Sequence, residues 1–313
     1  MRALIFPGQG SQTVGMGKAL ADAYPVARAV FEEVDAALGE KLSTLMWDGP
    51  AETLNLTANA QPALMATSLA ALRVLEAEAG LEIGRDVALV AGHSLGEYSA
   101  LAAAGALTIA HTARLLRLRG EAMQKAVPVG TGAMAAILKL DADVVAAIAK
   151  EAGEDEVCDV ANDNGAGQVV VSGHKAAVER AVALAQAKSG RGMMLAVSAP
   201  FHCRLMAPAA DAMREALAGI EIAAPVVPVV ANVEAAPLDV PDVIRDALVR
   251  QVVGTVRWRE CVEAMSAAGV DRFVEVGAGK VLTGLVKRIA AGSQAAPFGQ
   301  PADLDGVRPL IGA

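Results

Sequence analysis

At 313 residues the chain exceeds a typical single domain, and with 54% hydrophobic residues it can bury a core without disulfide or metal staples. A net charge of −8 argues against a nucleic-acid partner, and no apolar run reaches the ~18 residues of a membrane span. Cys158, Cys203 and Cys261 are scattered, without CxxC spacing or an even-numbered framework, so a reducing cytoplasm is the expected compartment. No His/Cys/Asp cluster suggests a metal. Aromatics are only 3%, which leaves Ala, Val, Leu and Met to fill the interior.

The first element, Ala3-Leu4-Ile5-Phe6, is a short apolar run stopped by Pro7-Gly8 and reads as a buried strand rather than a signal peptide. Helical spacing follows over 16–38 and 62–79. A second buried strand, 87–91, stops at Gly92, and the pattern turns helical from Leu95. Strand, sharp turn and helix in that order mark an α/β domain. The middle reads differently: strand 134–139, helix 142–152, strands 157–161 and 168–172, helix 174–188 and strand 193–197. Asn164-Gly165 supplies a turn between the central pair. This β-α-β-β-α-β order is the ferredoxin-like arrangement. It predicts an inserted subdomain over 128–197 within a main domain formed by 1–127 and 198–313. Helices at 204–218, 241–251 and 258–268, a strand at 272–276 and a helix from Lys280 continue the α/β pattern. The tail beyond 293, with Pro297, Pro301 and Pro309, shows no periodicity and is expected to be partly mobile.

Gly92-His93-Ser94-Leu95-Gly96 matches G-x-S-x-G in the strand-turn-helix context that motif requires. The turn lifts the serine hydroxyl off the sheet, and the helix start places N–H groups beside it, so Ser94 is the predicted nucleophile. Of four histidines, His93 adjoins the serine and should point elsewhere, while His111 and His174 read as surface or capping residues. His202, in Pro200-Phe201-His202 at the return from the insert, is the preferred base. Arg119 falls on the apolar stripe of its helix with Leu115, Leu118 and Ala122, so its guanidinium needs an anion. An internal salt bridge would meet that need as well as a ligand would.

Together with Phe6-Pro7-Gly8-Gln9-Gly10-Ser11-Gln12, Gly92 to Tyr98, Arg119-Gly120 and Gln251, these residues resemble bacterial malonyl-CoA:acyl-carrier-protein transacylases in order and approximate spacing over 3 to about 290. The resemblance implies an α/β-hydrolase-like main domain with a ferredoxin-like insert. It implies oxyanion donors at the N–H groups of Gln9 and Leu95, and a Gln251 carbonyl orienting His202 in place of an Asp. It also implies that Arg119 holds the malonyl carboxylate and that Asn162 faces the cleft, although a plain turn role suits Asn162 equally. Phe201 should crowd a 2-methyl branch and favour malonyl. Gly277-Ala278-Gly279-Lys280 stands where the family has Gly-Pro-Gly-Lys and reads as a strand-to-helix turn, not a phosphate loop. The expected partners are malonyl-CoA, a substrate rather than a cofactor, and an acidic acyl carrier protein, with Lys188, Arg191, Lys280 and Lys287 as docking candidates. Nothing forces more than a monomer. A serine esterase or thioesterase with the same elbow, or a scaffold without catalysis, are the rival readings.

Overall fold

The computed structural model describes residues 1–312. It is a mixed α/β structure with two sheets. The larger contains β1 (Arg2–Phe6), β2 (Leu89–Gly92), β7 (Val229–Ala231), β8 (Ala236–Leu238), β9 (Arg272–Val276) and β10 (Gln294–Phe298). The smaller contains β3 (Gly132–Leu138), β4 (Cys158–Asp163), β5 (Gln168–His174) and β6 (Arg191–Met194).

The large sheet runs β10-β9-β1-β2-β7-β8 and is parallel except for β8. Strand β1 sits inside it and is apolar on both faces because both are covered. Leu4 and Phe6 enter one hydrophobic cluster while Ala3 and Ile5 enter another on the opposite side. The register Ala3↔Leu89 through Phe6↔Gly92 brings the ends of β1 and β2 level. The loops that follow them, Pro7–Gly10 and His93–Leu95, therefore emerge side by side at the carboxyl edge, where open α/β sheets place their sites.

The small sheet is antiparallel in the order β4-β5-β3-β6. Helices Ala142–Gly153 and Lys175–Ala187 cover one face through a separate core that includes Ile137, Ile148, Val171 and Val178. The alternate residues Met134, Ala136 and Val170 face the opposite way and join the main cluster. One edge is stitched to the rest of the molecule. Asp163 N donates to Val256 O at 3.0 Å, and Val256 N donates to Ala161 O at 2.9 Å.

The sequence-derived elements hold with small shifts: the second strand runs Leu89–Gly92, and the last strand of the small sheet is Arg191–Met194. The tail is a correction. Residues beyond 293 form β10 and helix Leu304–Ile311. Their periodicity is hidden because β10 is an edge strand, where Pro297 is tolerated. Leu118 is a second correction: it is 36% exposed rather than buried with Arg119.

Candidate active site

The turn after β2 is forced by close approach. A Cβ on Gly92 would run into the Gly96 backbone, and one on Gly96 into the Phe6 carbonyl, so both outer positions of the motif must be glycine. Between them Ser94 takes φ 53°, a left-handed conformation that turns its side chain outward. Its N–H donates to Asn232 Oδ1 at 2.8 Å, and the Asn232 amide returns to Gly92 O at 2.8 Å. Asn232 follows the three-residue strand β7, which is too short to leave a periodic signal in the sequence.

Ser94 Oγ and His202 Nε2 lie 2.7 Å apart, and His202 Nδ1 is 2.9 Å from Gln251 O. The carbonyl can only accept, so Nδ1 carries the proton and Nε2 is free to accept from the serine hydroxyl. His202, only 4% exposed, also adopts a left-handed φ, 58°. Burial, and then the nearby Arg119 charge, push its pKa down to about 3, so the ring is neutral at working pH.

Arg119 is 1% exposed, as its helical stripe predicts. Among the described residues it forms no internal salt bridge. Nη1 donates to Gln61 Oε1 at 2.8 Å, and Nη2 donates to Gln251 Oε1 at 2.9 Å and to Ser94 Oγ at 3.2 Å. A guanidinium has five N–H bonds, so Nε and one Nη1 hydrogen are left over, and Nε is buried without a partner. A buried cation whose acceptors are two amide oxygens and a hydroxyl is equipped to take an anion.

Beneath the elbow lies Glu97, 1% exposed, whose Oε2 accepts from Asn232 N and Gln251 Nε2, both at 2.8 Å. Burial pushes its pKa up to about 7, against those hydrogen bonds and the Arg119 charge. Gln251 Nε2 also donates to Ser94 O at 3.0 Å. Its amide thus ties the elbow to Arg119 while its carbonyl holds His202. Glu97 carries no local signal of this role because its partners are distant in sequence, and the Arg119 that Gln61 meets lies 58 residues away.

The groups open onto a cleft of about 350 Å³. Gln9, Leu95, Asn162 and Phe201 line it beside Ser94 and His202, with Met134 and Leu195 from the small-sheet region opposite. Among the described residues the N–H groups of Gln9 and Leu95 have no backbone acceptor. His93 is among the cleft-lining residues, but its side chain turns away from Ser94, with Nε2 donating to Asn164 Oδ1 at 2.9 Å and the ring against Trp258. His111 and His174 do not reach it. His174 precedes a helix, but instead of capping that helix its Nδ1 accepts from Val157 N at 2.9 Å. Lys188, Arg191, Lys280 and Lys287 are exposed.

Residues 3–298 match the acyl transferase domain family. The malonyl CoA-acyl carrier protein transacylase of Escherichia coli (strain K12) is 50% identical over 300 residues, 96% of each chain. The crystal structure of acyl-carrier-protein-S-malonyltransferase from Bartonella henselae superposes with a TM-score of 0.97 at 52% identity, covering 100% of this chain and 99% of that one. A malonyl-transacylase solved with its type II PKS acyl-carrier protein gives 0.95 at 45% identity, over 98% and 99%. With a serine elbow, an adjoining histidine and family-wide similarity along nearly its whole length, the chain belongs to the acyl transferase domain family.

Proposed function

We propose that the protein transfers a malonyl group from malonyl-CoA to the phosphopantetheine thiol of acyl carrier protein, serving fatty-acid or polyketide synthesis. The observation that carries the acyl identity is the buried Arg119 guanidinium, with unspent N–H bonds and no carboxylate among its acceptors, 3.2 Å from Ser94 Oγ. It supplies a paired hydrogen-bonding site for the free carboxylate. The long bond to Ser94 is the one most readily given up. The 50% identical transacylase supports the same substrate pair.

The reaction runs in two halves. His202 Nε2 takes the Ser94 proton as Oγ attacks the thioester carbonyl, and the resulting oxyanion rests on the N–H groups of Leu95 and Gln9. The tetrahedral adduct collapses, and the CoA sulfur leaves with the proton held by His202. The carrier thiol then gives its proton to His202 and attacks the malonyl-serine ester, and Ser94 is restored. Gln251 O holds the imidazole in the tautomer that both halves need. Phe201 crowds a 2-methyl branch, and Asn162 contacts the acyl-thioester arm.

In this reading the large sheet forms an α/β-hydrolase-like domain of 1–127 and 198–313, and 128–197 is a ferredoxin-like insert. The antiparallel order β4-β5-β3-β6 with two helices on one face supports that description. In the same proposal the protein acts as a monomer in the cytoplasm, with CoA thioester as substrate and no separate cofactor. Lys188, Arg191, Lys280 and Lys287, all exposed, are the proposed contacts for an acidic carrier.

The test is single-turnover labelling. Incubation with labelled malonyl-CoA should give an acyl-enzyme on Ser94, absent in Ser94→Ala, that discharges onto holo carrier protein much faster than onto water. Discharge to water at an equal rate would indicate an esterase, and no label would indicate a scaffold.

A further inference from the structure

The hydrogen bonds leaving Arg119 Nη1 do not stop at Gln61. Gln61 Nε2 donates to Thr57 Oγ1 at 2.9 Å, and Thr57 Oγ1 donates to Gln9 Oε1 at 2.8 Å. The direction of the chain is fixed. A guanidinium has only donors, so Gln61 must face it with Oε1 and pass on its amide hydrogens. The Thr57 hydroxyl, having accepted from Gln61, has its single hydrogen left for Gln9. The other contact of Gln61 Nε2 is Met123 Sδ at 3.7 Å, a weak acceptor that offers little competition.

Thr57 and Gln61 are 0% and 1% exposed, so the link is shielded from water and correspondingly stiff. Its far end differs. Gln9 is exposed, and its side-chain hydrogen bond among the described residues is the one from Thr57. Gln9 also lines the cleft, and its backbone N–H, one of the two oxyanion donors of the functional reading, has no backbone acceptor among the described residues.

We propose that Thr57 and Gln61 are positioning residues that set the distance between the carboxylate-binding guanidinium and the oxyanion-binding N–H of Gln9. The inference rests on the functional reading above and deepens it. An acyl group bound at both points has its carboxylate on Arg119 and its thioester oxygen on Gln9 and Leu95. A chain of fixed length between those points selects the number of carbons between the two carbonyls. Malonyl, with one intervening methylene, is then preferred over succinyl, with two, by geometry as well as by charge.

Two variants cut the chain at different links without removing Arg119 or a backbone N–H: Thr57→Val, which is isosteric, and Gln9→Ala, which changes an exposed side chain. The readout is kcat/KM for malonyl-, succinyl- and acetyl-CoA on the purified full chain. The malonyl-to-succinyl and malonyl-to-acetyl ratios are independent of how much enzyme is folded. Each variant should lower both ratios by about fivefold, the scale of one net hydrogen bond. Thr57→Ser should restore them, and the double variant should lower them no further. Equal losses for all three thioesters, leaving the ratios at wild-type values, would overturn the proposal. Arg119→Ala serves as the control for the underlying reading. If it leaves the malonyl-to-acetyl ratio unchanged, the carboxylate role fails and the inference with it. If it lowers that ratio while Thr57→Val and Gln9→Ala do not, the inference alone fails.

Discussion

The base role proposed for His202 requires a neutral ring, and two causes keep it neutral. Burial comes first and the Arg119 charge second, together holding its pKa at about 3 instead of the ordinary 6.5. Free-enzyme kcat/KM should therefore run flat through pH 6.5, with the histidine limb displaced to about pH 3. Removing Arg119 removes one lowering cause, so in Arg119→Ala the acid limb should move up in pH. A pH-rate profile with acetyl-CoA checks this, since that substrate does not need the guanidinium. An unmoved limb would show that Arg119 does not act on His202. Ser94, His202 and Arg119 were legible in the sequence because each sits in a local pattern: an elbow, a proline-fixed return loop and a helical stripe. Gln61 and Asn232 were not, since their partners lie 58 and 138 residues away. Neither residue type signals burial on its own.

Helices Thr57–Ala79 and Ile109–Lys125 carry Gln61 and Arg119, and their contact is set by Gly120. A Cβ there would lie 2.5 Å from Ala58 Cα and 2.7 Å from Thr57 O, and backbone cannot swing aside. Alanine normally favours a helix over glycine by up to ~1 kcal/mol. Here overpacking, at ~1–3 kcal/mol, wins. Gly120→Ala should melt lower than wild type and lose malonyl transfer as Arg119 shifts, which thermal denaturation and the transfer assay would reveal. An unchanged Tm would mean the helices have room to part. Long elements such as these were readable from periodicity. Strands β7 and β8 have three residues each, too few for a period, and Pro237 and Pro297 disguise edge strands as loops.

Across the whole molecule, the β-α-β-β-α-β order of the small sheet was legible, but its mounting was not. That mounting depends on the Val256 pairing, on Thr255 Oγ1 donating to Val160 O at 2.6 Å, and on Arg259 meeting the buried Asp163 at 2.9 Å. These contacts hold the β4 side, and with it Asn162 and Asn164, against the elbow. Arg259→Ala leaves the Asp163 carboxylate short of a partner and should cost about 1–2 kcal/mol, scaled down because the arginine is partly exposed. Hydrogen exchange should show faster opening of β4 amides than of β1. Equal protection would place the restraint elsewhere.

The left-handed backbone at Ser94 reaches beyond orientation of the hydroxyl. A non-glycine residue held there costs on the order of 1 kcal/mol, which the folded state carries so that Oγ can stand above the sheet. Ordinary Ser→Gly replacements weaken a fold. Ser94→Gly should instead melt no lower than wild type while losing all transfer, and a clearly lower Tm would refute this. On that outcome, acyl transfer holds this turn away from its stability optimum. A search for thermostable variants that ignored activity would be drawn to the nucleophile position itself.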